Sequence, residues 1–98
     1  MEILDKEKIV QRFYAVSKED QVAAITKAFV SYSNGSANIP PVGHLKMDTP
    51  PGDVHIKYGA IKGNSNYVIK IASGFYENPS LGLPSSNGMM LAFNSNTG

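Results

Sequence analysis

Lys70 stands inside the apolar run Val68-Ile69-Lys70-Ile71-Ala72-Ser73. An ammonium group there needs a partner, a ligand or a route to solvent along its own stem. Facing a cleft, it would bind a substrate carboxylate; on an edge strand it would only snorkel or form an internal ion pair. His55 and Lys57 alternate with Val54, Ile56 and Tyr58, so both lie on one strand face, about 7 Å apart. That face is either a solvated surface or a polar pocket wall shared with Lys70 across a hairpin. His44, close to Pro40-Pro41, reads as a surface histidine or as part of the same wall. Two histidines separated in sequence, with no clustered carboxylates, make a poor metal site, and no metal is expected. The stretch SLGLPSSNG, residues 80–88, offers hydroxyls and exposed backbone amides. Such a composition serves plain turns, or receives an anionic ligand because small residues let the backbone approach closely. The chain has no GxGxxG, no P-loop and no GxSxG, so hydrolysis and phosphate-loop chemistry have no motif to stand on.

Two helices and a set of strands must position these groups. Asp5 is placed to cap a short helix over residues 6–14, with Leu4 and Ile9 at the spacing of a hydrophobic staple. Ser17 caps a second helix over residues 18–33, with Asp20 completing an imperfect capping box. Val22, Ile25, Phe29 and Tyr32 recur at helical spacing, which predicts one buried stripe, and Asn34-Gly35 ends the helix. Both helices read as packing elements. Residues 38–46 contain Pro40-Pro41 and so pair only as an edge or irregular strand. Thr49-Pro50-Pro51-Gly52-Asp53 is a turn signal, and strict alternation begins at Val54. Lys62-Gly63-Asn64-Ser65-Asn66 forms a hairpin loop, a return strand is expected over 67–72, a loop over 74–88 and a last strand over 88–93. The terminal Asn94-Ser95-Asn96-Thr97-Gly98 is a turn signal with no returning strand, which leads us to expect a fragment of a larger protein.

The totals bound the class. With 98 residues, 42% of them hydrophobic and 17% charged, the chain is one small globular domain at most. A formal net charge of +1 gives no compositional support for broad nucleic-acid or anionic-membrane binding. Lysines interleaved with Tyr58, Tyr67 and Phe75 look superficially like a single-strand stacking platform. The near-neutral charge and the placement of Tyr58 on the face away from His55 and Lys57 argue against it. Cysteine is absent, so there are no disulfides or thiolate zinc sites. No apolar window is long enough for a membrane span, and MEILDKEKIV carries charges where a signal peptide has its apolar core. A soluble, cytoplasmic protein is expected.

The order of these elements, with GDVHIKYG and then YVIKIASGFYENPSLGLPSSNGMMLAF, resembles the N-terminal part of the ornithine cyclodeaminase/mu-crystallin family. The resemblance extends over essentially the whole chain, and KIASGFYxNxxxGLPSSNGMM is its most specific portion. It implies an α+β fold: two N-terminal helices packed on a mixed or antiparallel sheet that pairs with a second copy into a barrel-like dimer. It further implies that residues 1–98 are the N-terminal part of a substrate-binding and dimerisation domain, with the dinucleotide-binding domain outside this chain. The implied function is that of an NAD(P)-dependent enzyme acting on amino acids or cyclic imines, as cyclodeaminase, amino-acid dehydrogenase or ketimine reductase. The alternative is a non-catalytic dimerisation or ligand-binding module of the same fold. By the resemblance, Lys70 matches the lysine facing the substrate carboxylate, and Ser85 the small hydroxyl residue beside the nicotinamide. Lys57 falls on a pocket-lining position that is often methionine in relatives. Many relatives carry an arginine just after the proline pair where this chain has Val42, and Lys57 or His44 is expected to compensate. The family's arginine motif, catalytic aspartate and glycine-rich loop lie downstream of Gly98, so these residues alone are expected to bind no NAD(P) and to turn nothing over.

Overall fold

The computed structural model describes all 98 residues, Met1 to Gly98. They form two compact units, Met1–Asn34 and Gly35–Gly98. The first holds helices α1 (Lys6–Ala15) and α2 (Lys18–Ser33). Both begin as their capping residues dictate. The Asp5 carboxylate accepts from the Lys8 amide at 2.9 Å, and the Ser17 hydroxyl accepts from the Asp20 amide at 3.1 Å. Each removes one orphan donor of the first turn. The turn between the helices is held by the Gln21 side-chain amide, which donates to the carbonyls of Phe13 and Val16 at 3.2 and 3.0 Å. Gly35, with φ of 81°, takes the left-handed conformation that ends α2.

The predicted stripe on α2 forms at the right spacing but is not buried. Val22, Ile25, Phe29 and Tyr32 are all exposed, Phe29 by 70%, and Ser31 is the only buried residue of the helix. A helical stripe is buried only where another element covers it, and the unit Met1–Asn34 by itself leaves this one open.

The second unit is an antiparallel sheet of β1 (Ala37–Asn38), β2 (Gly43–Met47), β3 (Gly52–Ile61), β4 (Asn66–Phe75) and β5 (Ser86–Asn94). β3, β4 and β5 run side by side, while β1 and β2 share the outer edge of β3. All pairings are antiparallel. Pro40 and Pro41 lack the amide hydrogens of a ladder, which is why one edge strand becomes two short ones. The break also shifts register. Asn38 lies opposite Ala60, and continuing that pairing would set His44 opposite Val54; its actual partner is His55. One extra residue is thus accommodated at the proline pair, in the manner of a bulge.

The alternation of side chains gives the sheet two unlike faces. Following the register, one carries Leu45, Val54, Ile56, Tyr58, Ile69, Ile71, Met89 and Leu91, with Tyr67 stacked on Phe93. The other carries His44, Asp53, His55, Lys57, Lys70 and Ser86. No hydrophobic side chain is fully buried; Leu45 and Met89 are 56% and 59% exposed. The loop expected over 74–88 is shorter than composition suggested. β4 continues to Phe75 and β5 starts at Ser86, with a 3-10 turn, Asn78–Leu81, between them. Ladder hydrogen bonding, including the Phe75 amide donating to the Ser85 carbonyl at 2.8 Å, overrides the Gly and Ser composition.

Candidate functional site

The polar face of the sheet collects four of the five residues singled out by sequence. Lys57 and Lys70 are direct cross-strand partners. Two residues along, His55 lies opposite Ala72. These four line one shallow cleft of about 190 Å³. Ala72 is small, so the longer side chains around it stand as walls above a low floor. Neither lysine has an ion-pair partner within the chain. Of the two readings open for Lys70, the internal ion pair is therefore not the one adopted: the ammonium stands exposed beside a second cation. Like charges placed directly opposite on a sheet disfavour the fold, and an anion between them removes that cost.

His44 is not an isolated surface residue. Its ring stacks on that of His55, with centroids 4.5 Å apart and planes within 3°. Asp53 sits beneath the pair: its carboxylate oxygens lie 3.6 Å from His44 Nε2 and 3.9 Å from His55 Nδ1. The expectation of separated histidines without a carboxylate is corrected here. Sequence distance was the wrong measure, because the proline bulge brings His44 opposite His55 and strand alternation puts Asp53 on the same face. Sequence reasoning passes over Asp53, hidden in a turn signal; its two-residue spacing from His55 is the available clue. Tyr76, from the loop after β4, donates its hydroxyl to Asp53 Oδ2 at 3.2 Å. This hydrogen bond, and secondly the carboxylate charge, raise the Tyr76 pKa above the usual tyrosine value.

Ser85 is not brought to the lysine cleft. It precedes β5 at the end of the sheet where β4 finishes, five residues beyond Lys70 in register, or about 17 Å along the strand.

No protein-family model matches the chain. In sequence it is 37% identical over 79 residues to a provisionally named dehydrogenase of Rhizobium meliloti, and 39% identical over 80 residues to an uncharacterized cyclodeaminase of Sinorhizobium fredii. Each alignment covers 81% of this chain and 24% of the relative, so the chain spans about a quarter of the length of the curated relatives it matches. Among solved structures, it is similar to an archaeal alanine dehydrogenase dimer with bound NAD, with a TM-score of 0.74 and 25% identity, over 85% of this chain and 25% of that one. It shares its fold with Δ1-pyrroline-2-carboxylate reductase of Thermococcus litoralis, solved with NADH and L-proline, at a TM-score of 0.77 and 23% identity, over 85% of this chain and 26% of that one. Sequence likeness to a dehydrogenase and a cyclodeaminase, joined to this shared fold, bears out the chain's resemblance to the N-terminal region of the ornithine cyclodeaminase/mu-crystallin family.

Proposed function

We propose that this chain is the N-terminal part of the substrate-binding and dimerisation domain of a cytoplasmic NAD(P)-dependent enzyme acting on amino acids or cyclic imines. The observation that carries the proposal is the opposed pair Lys57–Lys70, free of internal counter-ions and walled by His55. A carboxylate is the anionic group that amino acids and cyclic imino acids have in common. Lys70 binds it, and Lys57 supplies the second cation that relatives obtain from the arginine replaced here by Val42. NAD(P) supplies hydride transfer at the substrate Cα. The residues present on this chain hold and orient the substrate carboxylate in that reaction. Ser85, about 17 Å along the sheet, serves the cofactor rather than the carboxylate. Cyclodeamination, dehydrogenation and imine reduction all need that same anchor.

The decisive experiment is steady-state kinetics of Lys70→Met in the complete enzyme, with an NADH-binding titration alongside. A large rise in substrate KM with cofactor affinity retained is expected. An unchanged KM would refute the carboxylate assignment.

A second reading, a dimerisation or ligand-binding module without turnover, is favoured by one observation: the apolar face of the sheet is extensively exposed. Pairing of two such sheets into a barrel-like homodimer would cover it. Light scattering together with an NADH titration separates the two readings. Dimers that bind NADH and turn over amino acids support the enzyme; dimers that ignore the cofactor support the module.

A further inference from the structure

His44, Asp53 and His55 each present one donor atom to a common gap, and those atoms all lie within 4.8 Å of one another. The two histidine–carboxylate separations, 3.6 and 3.9 Å, exceed hydrogen-bond length. The groups therefore surround a space instead of bonding across it. We propose that this space is a binding site for a first-row divalent transition cation such as Zn²⁺, held by His44 Nε2, His55 Nδ1 and one Asp53 oxygen.

The donor set selects the cation. Two imidazoles and one carboxylate suit zinc and its first-row neighbours, whereas calcium and magnesium take oxygen ligands. Three protein ligands leave one or more positions open for solvent or a carboxylate oxygen. At metal–ligand bonds of about 2.1 Å, tetrahedral ligands sit roughly 3.4 Å apart. The present donors, up to 4.8 Å apart, must close by about 1.4 Å or less to reach that spacing, a movement within side-chain reach. The histidine side chains are 50% and 42% exposed and are free to make it. Because parallel rings cannot both aim in-plane lone pairs at one ion, binding must rotate at least one ring out of the stack.

The surroundings fit a metal site as well. The Tyr76 hydroxyl bonded to Asp53 Oδ2 is the kind of outer partner that fixes a ligating carboxylate. His55 also lines the lysine cleft, so the site lies on the same face of the sheet as Lys57 and Lys70. The site itself uses neither Lys57 nor Lys70, and it stands or falls independently of the carboxylate assignment.

The test is a calorimetric titration of the protein with ZnCl₂, with Co²⁺ absorption as the reporter of coordination number. One ion per chain is expected. His44→Ala and Asp53→Asn should each weaken binding by at least tenfold, Tyr76→Phe by a smaller factor, and Lys62→Ala not at all. Long-range ¹H–¹⁵N spectra of the unsubstituted protein make the test independent of variant folding. Zn²⁺ should shift His44 Nε2 and His55 Nδ1 as coordinated nitrogens. Zn²⁺ binding that leaves those two nitrogens unmoved, undiminished affinity in His44→Ala, or no binding at millimolar Zn²⁺ would each overturn the proposal.

Discussion

Replacing Lys57 by methionine should stabilise the fold and weaken ligand binding at the same time, and that opposition of signs marks a residue kept for function. Lys57 and Lys70 are direct cross-strand partners with no carboxylate to neutralise them. Two ammonium groups roughly 6–7 Å apart repel by about 0.6 kcal/mol in water, and physiological salt cuts this roughly in half. The resulting gain on removing one charge, about 0.3–0.6 kcal/mol, falls within the range for cross-strand pairs. For a domain of this size it raises Tm by about 2–4 °C. In 1 M salt, where the Debye length is about 3 Å, the gain should vanish. Binding moves the other way. A carboxylate about 4 Å from one ammonium gains about 1 kcal/mol even at the dielectric of water, and several times that in a partly dry cleft. Lys57→Met should therefore raise KM for the amino-acid or imine substrate by about fivefold or more. Thermal denaturation at low and high salt measures the first effect, and steady-state kinetics of the complete enzyme the second. A variant destabilised by more than about 1 kcal/mol with unchanged KM would make Lys57 a packing residue, contrary to the cross-strand repulsion argument.

Three further outcomes follow from the geometry. Tyr76 has its pKa raised in the fold by the Asp53 hydrogen bond and charge, so its contribution is complete below the normal tyrosine pKa and is lost as pH rises through the higher folded value. Alkaline denaturation of Tyr76→Phe against the parent measures this, and identical alkaline limbs would refute it. Deleting Pro41 removes the extra residue of the bulge, so the Asn38–Ala60 register runs on continuously and still sets His44 opposite His55; ring-to-ring NOEs between His44 and His55 should persist with β3–β4 contacts intact. Loss of the His44–His55 contact would show that the proline pair does more than absorb one extra residue. Gly88→Ala would place a Cβ 2.5 Å from the Ile71 carbonyl oxygen. The backbone of β5 must move to relieve that overlap, at a cost of about 1–3 kcal/mol readable by urea denaturation. A neutral substitution would mean that β5 is free to drift from β4.

How much of this was legible in the sequence depended on whether the governing interaction was local. Asp5, Ser17 and Gly35 act on their own first and last turns, and the helix ends follow them: the second helix runs over the expected residues and the first ends one residue later. Strict alternation from Val54 assigned His55 and Lys57 to one face, and the register keeps them there. The loop between β4 and β5 was misjudged because its glycines and serines are also ladder residues once a partner strand is present. The stripe of α2 was read correctly as a stripe and incorrectly as buried, since amphipathic spacing states which side is apolar and not what lies against it.

The site divides along the same line. Sequence alone determined that a lysine interrupts an apolar strand, that a histidine and a second lysine share a face, and that two prolines break an edge. Tertiary structure alone decided that Lys57 stands across from Lys70, because a hairpin's pairing depends on turn length and on the burial of both strands together. It also decided that His44, 11 positions before its partner, stacks on His55 above Asp53. A single added residue in one strand reverses which face the next side chain takes. The proline pair announced the interruption; only the paired sheet reveals that the interruption is one residue long and therefore turns His44 toward the site.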